Sequence, residues 1–139
     1  MSVVTKKCKR VETVDSQNKP NGWILEIVTD KDNFTEKLEG QVYLTVVKPG
    51  TQKGFHLHKL KTNHITCIRG LLTVGVFDGK KVQEFKIGED NFETVRVEPN
   101  MPLALYNRGN EDAYVINYCF PAYDSNIAEQ EEVSIDWKK

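Results

Sequence analysis

The sequence predicts an all-β fold, and three observations carry that prediction. Short runs rich in Val, Ile, Leu, Thr, Tyr and Phe recur at near-regular spacing, turn residues separate them, and no segment calls for a long helix. The 139-residue chain is about one domain in length. A fold of that size withdraws roughly two thirds of its extended-chain surface from water, so a core forms without covalent staples.

The expected elements follow in order. Trp23–Val28 opens the series, and a short helix is expected at 32–37, Asp-Asn-Phe-Thr-Glu-Lys. Gln41–Val47 stops at Pro49-Gly50; Gly54–His58 follows; Asn63–Ile68 stops at Arg69-Gly70. Leu72–Phe77 and Lys81–Ile87 flank Asp78-Gly79, the clearest hairpin signal, since a type I′ turn needs positive φ at both central positions. Phe92–Val97 lies between Gly88-Glu89-Asp90 and Pro99-Asn-Met-Pro102, and Leu103–Tyr106 and Ala113–Cys119 flank Arg108-Gly109-Asn110. Many short antiparallel strands without a linker or repeat give one closed or sandwiched β domain over 1–139: an N-terminal segment 1–22, a barrel 23–120 and a tail 121–139. The acidic stretch Glu129–Val133 is expected to be a solvated segment.

Charge and cysteine usage exclude several classes. Nineteen Lys and Arg face 20 Asp and Glu, so no net field gathers nucleic acid or an anionic membrane. Cys8, Cys67 and Cys119 are odd in number and lack CxxC spacing, which argues against a disulfide framework or a thiolate zinc site and for a reducing cytoplasm. They are expected as small buried residues. No apolar run reaches signal-peptide or membrane-span length.

The chemistry concentrates in residues 48–70, which hold all three histidines, His56, His58 and His64. A strand has a side-chain period of two, so His56 and His58 share a face. On the next strand Asn63, Ile65 and Cys67 form one face and His64 the other, which turns His64 away from whatever Asn63 meets. Two histidines at i and i+2, in the segment that holds every histidine of the chain, are expected to act as a functional pair rather than as separate core residues.

The spacing Gly50, five residues, His56, one residue, His58, then position 63 and Gly70 resembles the first motif of the cupin superfamily. The resemblance implies a jelly-roll, double-stranded β-helix barrel. In metal-binding cupins two His and a Glu of this motif, with a His of a second motif, hold a divalent ion. Here Asn63 stands for the Glu, and Leu103 or Ala104 stands where EPNMPLALYNRGNEDA would carry the second-motif His. A neutral amide holds Fe, Mn or Zn poorly. A metal-free barrel without a cofactor is therefore expected.

KGFHLHK is similar to the sugar 3,4-ketoisomerases, whereas QVYLTVVKPGTQKGFHLH, LYNRGNEDAYVIN and YDSNIAEQEEVSIDW resemble the dTDP-4-dehydrorhamnose 3,5-epimerase group. The resemblance spans about Gly40 to Trp137. It implies an isomerase acting on a nucleoside-diphosphate 4-keto-6-deoxysugar, with dTDP as the expected nucleotide and a homodimer as the expected assembly. By motif position His56 takes the place of the epimerases' catalytic base, and His58 that of the ketoisomerases' second histidine. The epimerases' acid phenol falls at Asn117, with Tyr118 beside it on the opposite face. Tyr43 matches a ketoisomerase tyrosine and is the preferred hydroxyl. Lys53 stands where both families place an arginine, and Arg69 and Arg108 are further candidates for the diphosphate. The epimerases carry a lysine at the position of Asn63, so an amide replaces a charge there. Two other classes remain: a metal-dependent small cupin using His56, His58 and a third ligand, either His64 or a glutamate elsewhere in the chain, and a non-catalytic cupin that binds a nucleotide sugar.

Overall fold

The computed structural model describes residues 3–29, 33–35, 38–122 and 124–138, together with the backbone but not the side chain of Ile24. Twelve strands run in chain order: β1 (Val3–Lys7), β2 (Lys9–Val14), β3 (Pro20–Glu26), β4 (Gln41–Val47), β5 (Gln52–His58), β6 (Thr62–Arg69), β7 (Leu71–Phe77), β8 (Val82–Gly88), β9 (Glu93–Val97), β10 (Leu103–Asn107), β11 (Ala113–Phe120) and β12 (Gln130–Glu132). Two five-stranded antiparallel sheets, β1-β9-β6-β11-β4 and β12-β5-β10-β7-β8, face one another as a jelly roll, and β2 and β3 form a separate hairpin.

Period-two alternation places the core. Ile65 and Cys67 of β6, Val115 of β11 and Val47 of β4 point inward from the first sheet; Val74 and Val76 of β7 and Leu103 of β10 meet them from the second. Burying one such side chain contributes about 1.5–3 kcal/mol. The inward row changes character partway along each strand of the first sheet. On β11, Ala113 and Val115 give way to Asn117 and Cys119; on β6, Cys67 and Ile65 give way to Asn63; on β4, Val47 gives way to Tyr43. One end of the barrel is thus packed with hydrocarbon, and the other is lined with polar groups.

The second sheet carries a smaller core on its outer face, made by Phe55, Ala104 and Trp137 with Val133 and Ile135 packed against them. Gly75 makes this possible, since a Cβ there would come within 2.8 Å of the Trp137 indole. The C-terminal segment therefore lies across the sheet. Within residues 129–133, expected to be solvated, Gln130–Glu132 are exposed but form the ordered strand β12 paired with β5, and Glu129 is buried.

Three other expectations are corrected. The strand expected at Trp23–Val28 is β3, Pro20–Glu26, and it pairs with β2 outside both sheets. Of the helix expected at 32–37, residues 33–35 form a turn and bend, and 32, 36 and 37 lie outside the described residues. The β7–β8 hairpin forms, but Phe77 pairs with Val82, so four residues rather than two make the loop. Gly79 has φ +98°, while Asp78 closes the turn through its carboxylate, which accepts the N–H groups of Lys80 and Lys81 at 2.9 Å each.

Candidate active site at the polar end of the barrel

His56 lies opposite Leu103 on β10, an inward residue, so the face shared by His56 and His58 is the barrel interior. The C-terminal segment brings a carboxylate to each. Glu132 pairs with His56 across the β5–β12 ladder, and its Oε1 lies 3.9 Å from Nε2, with the Glu132 side chain 91 % exposed. An exposed pair of that length is held weakly. Glu129 is different: its Oε1 lies 2.9 Å from His58 Nδ1, and both side chains are largely buried. A carboxylate can only accept. Nδ1 therefore carries the proton, and in the neutral ring Nε2 keeps its lone pair as the proton acceptor.

Glu129 is itself well held. Burial pulls its pKa up, but the hydrogen bond and charge of His58 and the N–H groups of Leu60 and Lys61 outweigh that and leave it below the ordinary carboxylate value. Those two N–H groups donate to Oε2 at 3.4 and 3.3 Å. The Lys61 ammonium lies 4.0 Å from Oε1, with its side chain 7 % exposed.

Across the interior, Asn117 organises a second polar group. Its Nδ2 donates to Tyr43 Oη at 2.8 Å and to Asn63 Oδ1 at 2.9 Å, and its Oδ1 accepts the His64 N–H at 3.2 Å. The pairing Tyr43↔Asn117 sets this up. Burial, the nearby Cys119 and Glu129 push the Tyr43 phenol above 10, against the smaller opposing effect of the Asn117 hydrogen bond. Tyr43 is therefore a protonated hydroxyl at neutral pH. Cys119 joins the two groups: its thiol is raised by burial, lowered by Lys61, raised by Glu129, and interacts with the Tyr43 hydroxyl. It stays protonated, as expected of a buried structural thiol.

A β-bulge places Lys53. Lys53 pairs with Leu105 and His56 with Leu103, so three steps on β5 match two on β10, and the extra residue turns Lys53 to the same side as His56. Both line an open cleft with Gln52, Gly54 and Glu132. Gly54 is essential to this geometry: its φ is +97°, and a Cβ would collide with the Leu103 carbonyl.

Other expected site residues lie elsewhere. Tyr118 is on the outer face of β11, where its hydroxyl donates to the Glu39 carbonyl at 2.6 Å and its ring lies 5.1 Å from that of His64; strand alternation puts it on the side away from Asn117. Arg69 pairs with Tyr114 at the far end of β6, six residues beyond Asn63 or about 20 Å along the strand. Its guanidinium lies 5.8 Å from the Tyr114 ring. Arg108 is also at that end, bonded to Asp90 at 3.2 Å and to the carbonyls of Leu72 and Ile87. Both arginines are engaged at the end of the sheets away from the histidines. The residues that sequence reasoning missed are Lys61 and Glu129. Lys61 was legible in principle, being two positions before Asn63 and so on its face; Glu129 reaches His58 only through the long return of the tail.

The donor set does not fit a cupin metal. His64 faces outward among Phe34, Tyr118 and Phe120, Asn63 offers an amide, Leu103 and Ala104 are aliphatic, and among the described residues no three His, Cys, Asp or Glu side chains cluster as ligands.

Comparison with known proteins agrees with this architecture. The chain is 26 % identical over 102 residues to the probable low-salt glycan biosynthesis epimerase Agl13 of Haloferax volcanii, covering 68 % of this chain and 65 % of that protein, so it spans less than two thirds of the relative's length. Its fold matches a dTDP sugar isomerase from Desulfovibrio desulfuricans G20 with a TM-score of 0.80 at 18 % identity, over 95 % of this chain and 83 % of the other. It also matches ChmJ, a 3'-monoepimerase from Streptomyces bikiniensis in complex with dTDP-quinovose, with a TM-score of 0.77 at 16 % identity, over 94 % and 69 %. Residues 18–130 match the family model described as the polysaccharide biosynthesis C-terminal domain, and the chain belongs to that family.

Proposed function

We propose that this protein is a metal-independent isomerase of a nucleoside-diphosphate 4-keto-6-deoxysugar, working by histidine-mediated proton transfer next to the ketone. The observation that carries this reading is the His58–Glu129 contact of 2.9 Å inside the barrel: a base with a fixed tautomer, facing the same interior as a second imidazole and a protonated phenol. His58 Nε2 takes the proton on the carbon beside the ketone, and the resulting enolate has hydrogen-bond donors around it. His56, in the open cleft, returns a proton. Motif position makes His56 the base, whereas the imidazole oriented by a buried carboxylate is His58. Tyr43 is the neutral hydroxyl of the site and Asn63 and Asn117 its polar wall, while Lys53 meets the diphosphate as a point charge. The likeness in fold to a dTDP sugar isomerase and to ChmJ, which holds dTDP-quinovose, supports dTDP as the nucleotide.

The expected homodimer has a surface to use. Val42, Leu44 and Val46 of β4 and Tyr114 of β11 are exposed on the outer face of the first sheet, an apolar patch at a sheet edge of the kind that associates. Light scattering of wild type and Leu44→Glu reads this directly: a dimer that the substitution dissociates supports it. Three free thiols, Cys8, Cys67 and Cys119, suit a cytoplasmic setting.

The test of the activity is proton NMR of dTDP-4-keto-6-deoxyglucose with the protein in D₂O. Deuterium at C3 or C5, or a new 3-keto sugar, supports the reading, and the carbon labelled separates epimerase from ketoisomerase. Binding without exchange at high protein concentration identifies a non-catalytic nucleotide-sugar cupin instead.

A further inference from the structure

We propose that Asn117 is a positioning residue of this site: by donating to the Tyr43 oxygen, it leaves the phenol's own proton for the substrate. The inference rests on the isomerase reading. It takes Asn117 out of contact with the sugar, although its position is the one at which the resemblance implies an acid phenol.

The orientation of the amide is fixed by a group that can only donate. The His64 backbone N–H lies 3.2 Å from one terminal atom of the Asn117 side chain, so that atom is the oxygen and the other is Nδ2. Nδ2 carries two N–H bonds, and both are used: one reaches Tyr43 Oη at 2.8 Å and the other Asn63 Oδ1 at 2.9 Å. Asn117 is buried and keeps no N–H to offer a ligand. The ladder puts it there, since Asn117 pairs with Tyr43 on β4 and with Ile65 on β6, and Asn63 stands two positions before Ile65.

A proton inventory shows what this arrangement does. A phenol oxygen has one proton and two lone pairs. With an N–H of Asn117 on one lone pair, the Tyr43 O–H is not spent on the amide. The neighbouring Cys119 sulfur is a weak acceptor and competes poorly with a sugar oxygen. Tyr43 is therefore held as a donor toward the interior that His56 and His58 also face. A carboxylate in place of the amide reverses this. It only accepts, so the Tyr43 O–H turns toward it and is withdrawn from the substrate, although the side chain has nearly the same shape.

The bland alternative is that Asn117 only ties β4, β6 and β11 together, in which case its loss acts independently of Tyr43. A double-variant cycle separates the two. The readout is the deuterium exchange rate of dTDP-4-keto-6-deoxyglucose at saturation in wild type, Tyr43→Phe, Asn117→Asp, Asn117→Leu and each Asn117 variant combined with Tyr43→Phe. Thermal melts set a temperature at which the variants are folded, and if Asn117→Asp does not fold, Asn117→Leu carries the cycle. Tyr43→Phe slows exchange about 10²-fold. Asn117→Asp slows it by a similar factor, and Asn117→Leu, which releases the phenol without capturing its proton, by less. In the Tyr43→Phe background both losses disappear. Losses that persist there, or Tyr43→Phe or either Asn117 variant exchanging like wild type, overturn the role of Asn117 and leave the isomerase standing. No exchange in wild type overturns the isomerase reading itself.

Discussion

Glu129 reaches His58 across 71 positions of sequence and binds its Nδ1 at 2.9 Å. The contact exists because the chain, having finished the barrel at β11, turns back to pair β12 antiparallel with β5, with Gln130 opposite His58 and Glu132 opposite His56. One return of the chain therefore brings a carboxylate to each imidazole, and burial makes the two unequal.

That inequality predicts different costs. Glu129→Gln removes the charge that fixes the His58 ring, and exchange in the NMR assay slows about 10–100-fold, by analogy with the loss of a carboxylate that orients a metal-bound histidine. Glu132→Gln changes it by no more than about threefold, since a pair this exposed contributes little. His58→Asn slows exchange by roughly 10²–10⁴, the usual share of a general base, whereas His56→Asn keeps exchange and loses product.

Trp137 anchors the segment that carries both carboxylates. It is buried, its Nε1–H donates to Glu84 Oε1 at 3.0 Å, and its ring lies 5.5 Å from Phe55. Trp137→Ala costs about 3–5 kcal/mol of stability, typical of a buried Trp truncation. Chemical denaturation measures that loss. Exchange activity falls with it, because Glu129 and Glu132 lose the docking that holds them to β5.

The barrel was legible in the sequence because it is built from local signals. The strands expected at Gln41–Val47 and 113–119 are β4 and β11, and the period of two set His56 with His58 and turned His64 away from Asn63 without any knowledge of pairing. The tail was not legible. Glu129–Val133 has the composition of a solvated run, and nothing local shows that Trp137 docks over Gly75, a contact between residues 62 positions apart. Lys53 illustrates the intermediate case: strict alternation would put it opposite His56, and the bulge against β10 reverses that.

Gly54 gives a test of the HxH strand itself. Its φ of +97° lies where an L side chain is strained, and a new Cβ would meet Ala104 Cα at 3.0 Å as well as the Leu103 carbonyl. Gly54→Ala therefore costs about 1–3 kcal/mol in backbone strain, and relief requires β5 to move away from β10. Since β5 carries both histidines, the exchange rate falls even at temperatures where circular dichroism shows the variant folded. Gly79→Ala is the control, with a similar φ of +98° but open space around it and no part in the site; it loses some stability and keeps its activity.

His64 predicts how stability depends on acid. Its ring is 1 % exposed, and Nδ1 lies 3.0 Å from the Tyr118 carbonyl, which only accepts, so Nδ1 carries the proton and Nε2 is the bare nitrogen, without a hydrogen-bond partner among the described residues. Burial, aided by the charge of Arg96 and opposed by the Tyr118 hydrogen bond, lowers its pKa below 6.5. The unfolded chain thus binds a proton that the folded one refuses. Stability from this group is complete well above pH 6.5 and is lost as pH falls below the unfolded value, down to the lower folded one. Glu129, also lowered from 4.5, acts in a separate and more acidic window. Thermal melts between pH 8 and 5 show wild type losing stability in the histidine window, and His64→Phe, which cannot take up a proton, shows a flatter profile there. An unchanged slope in His64→Phe assigns the acid sensitivity to another group.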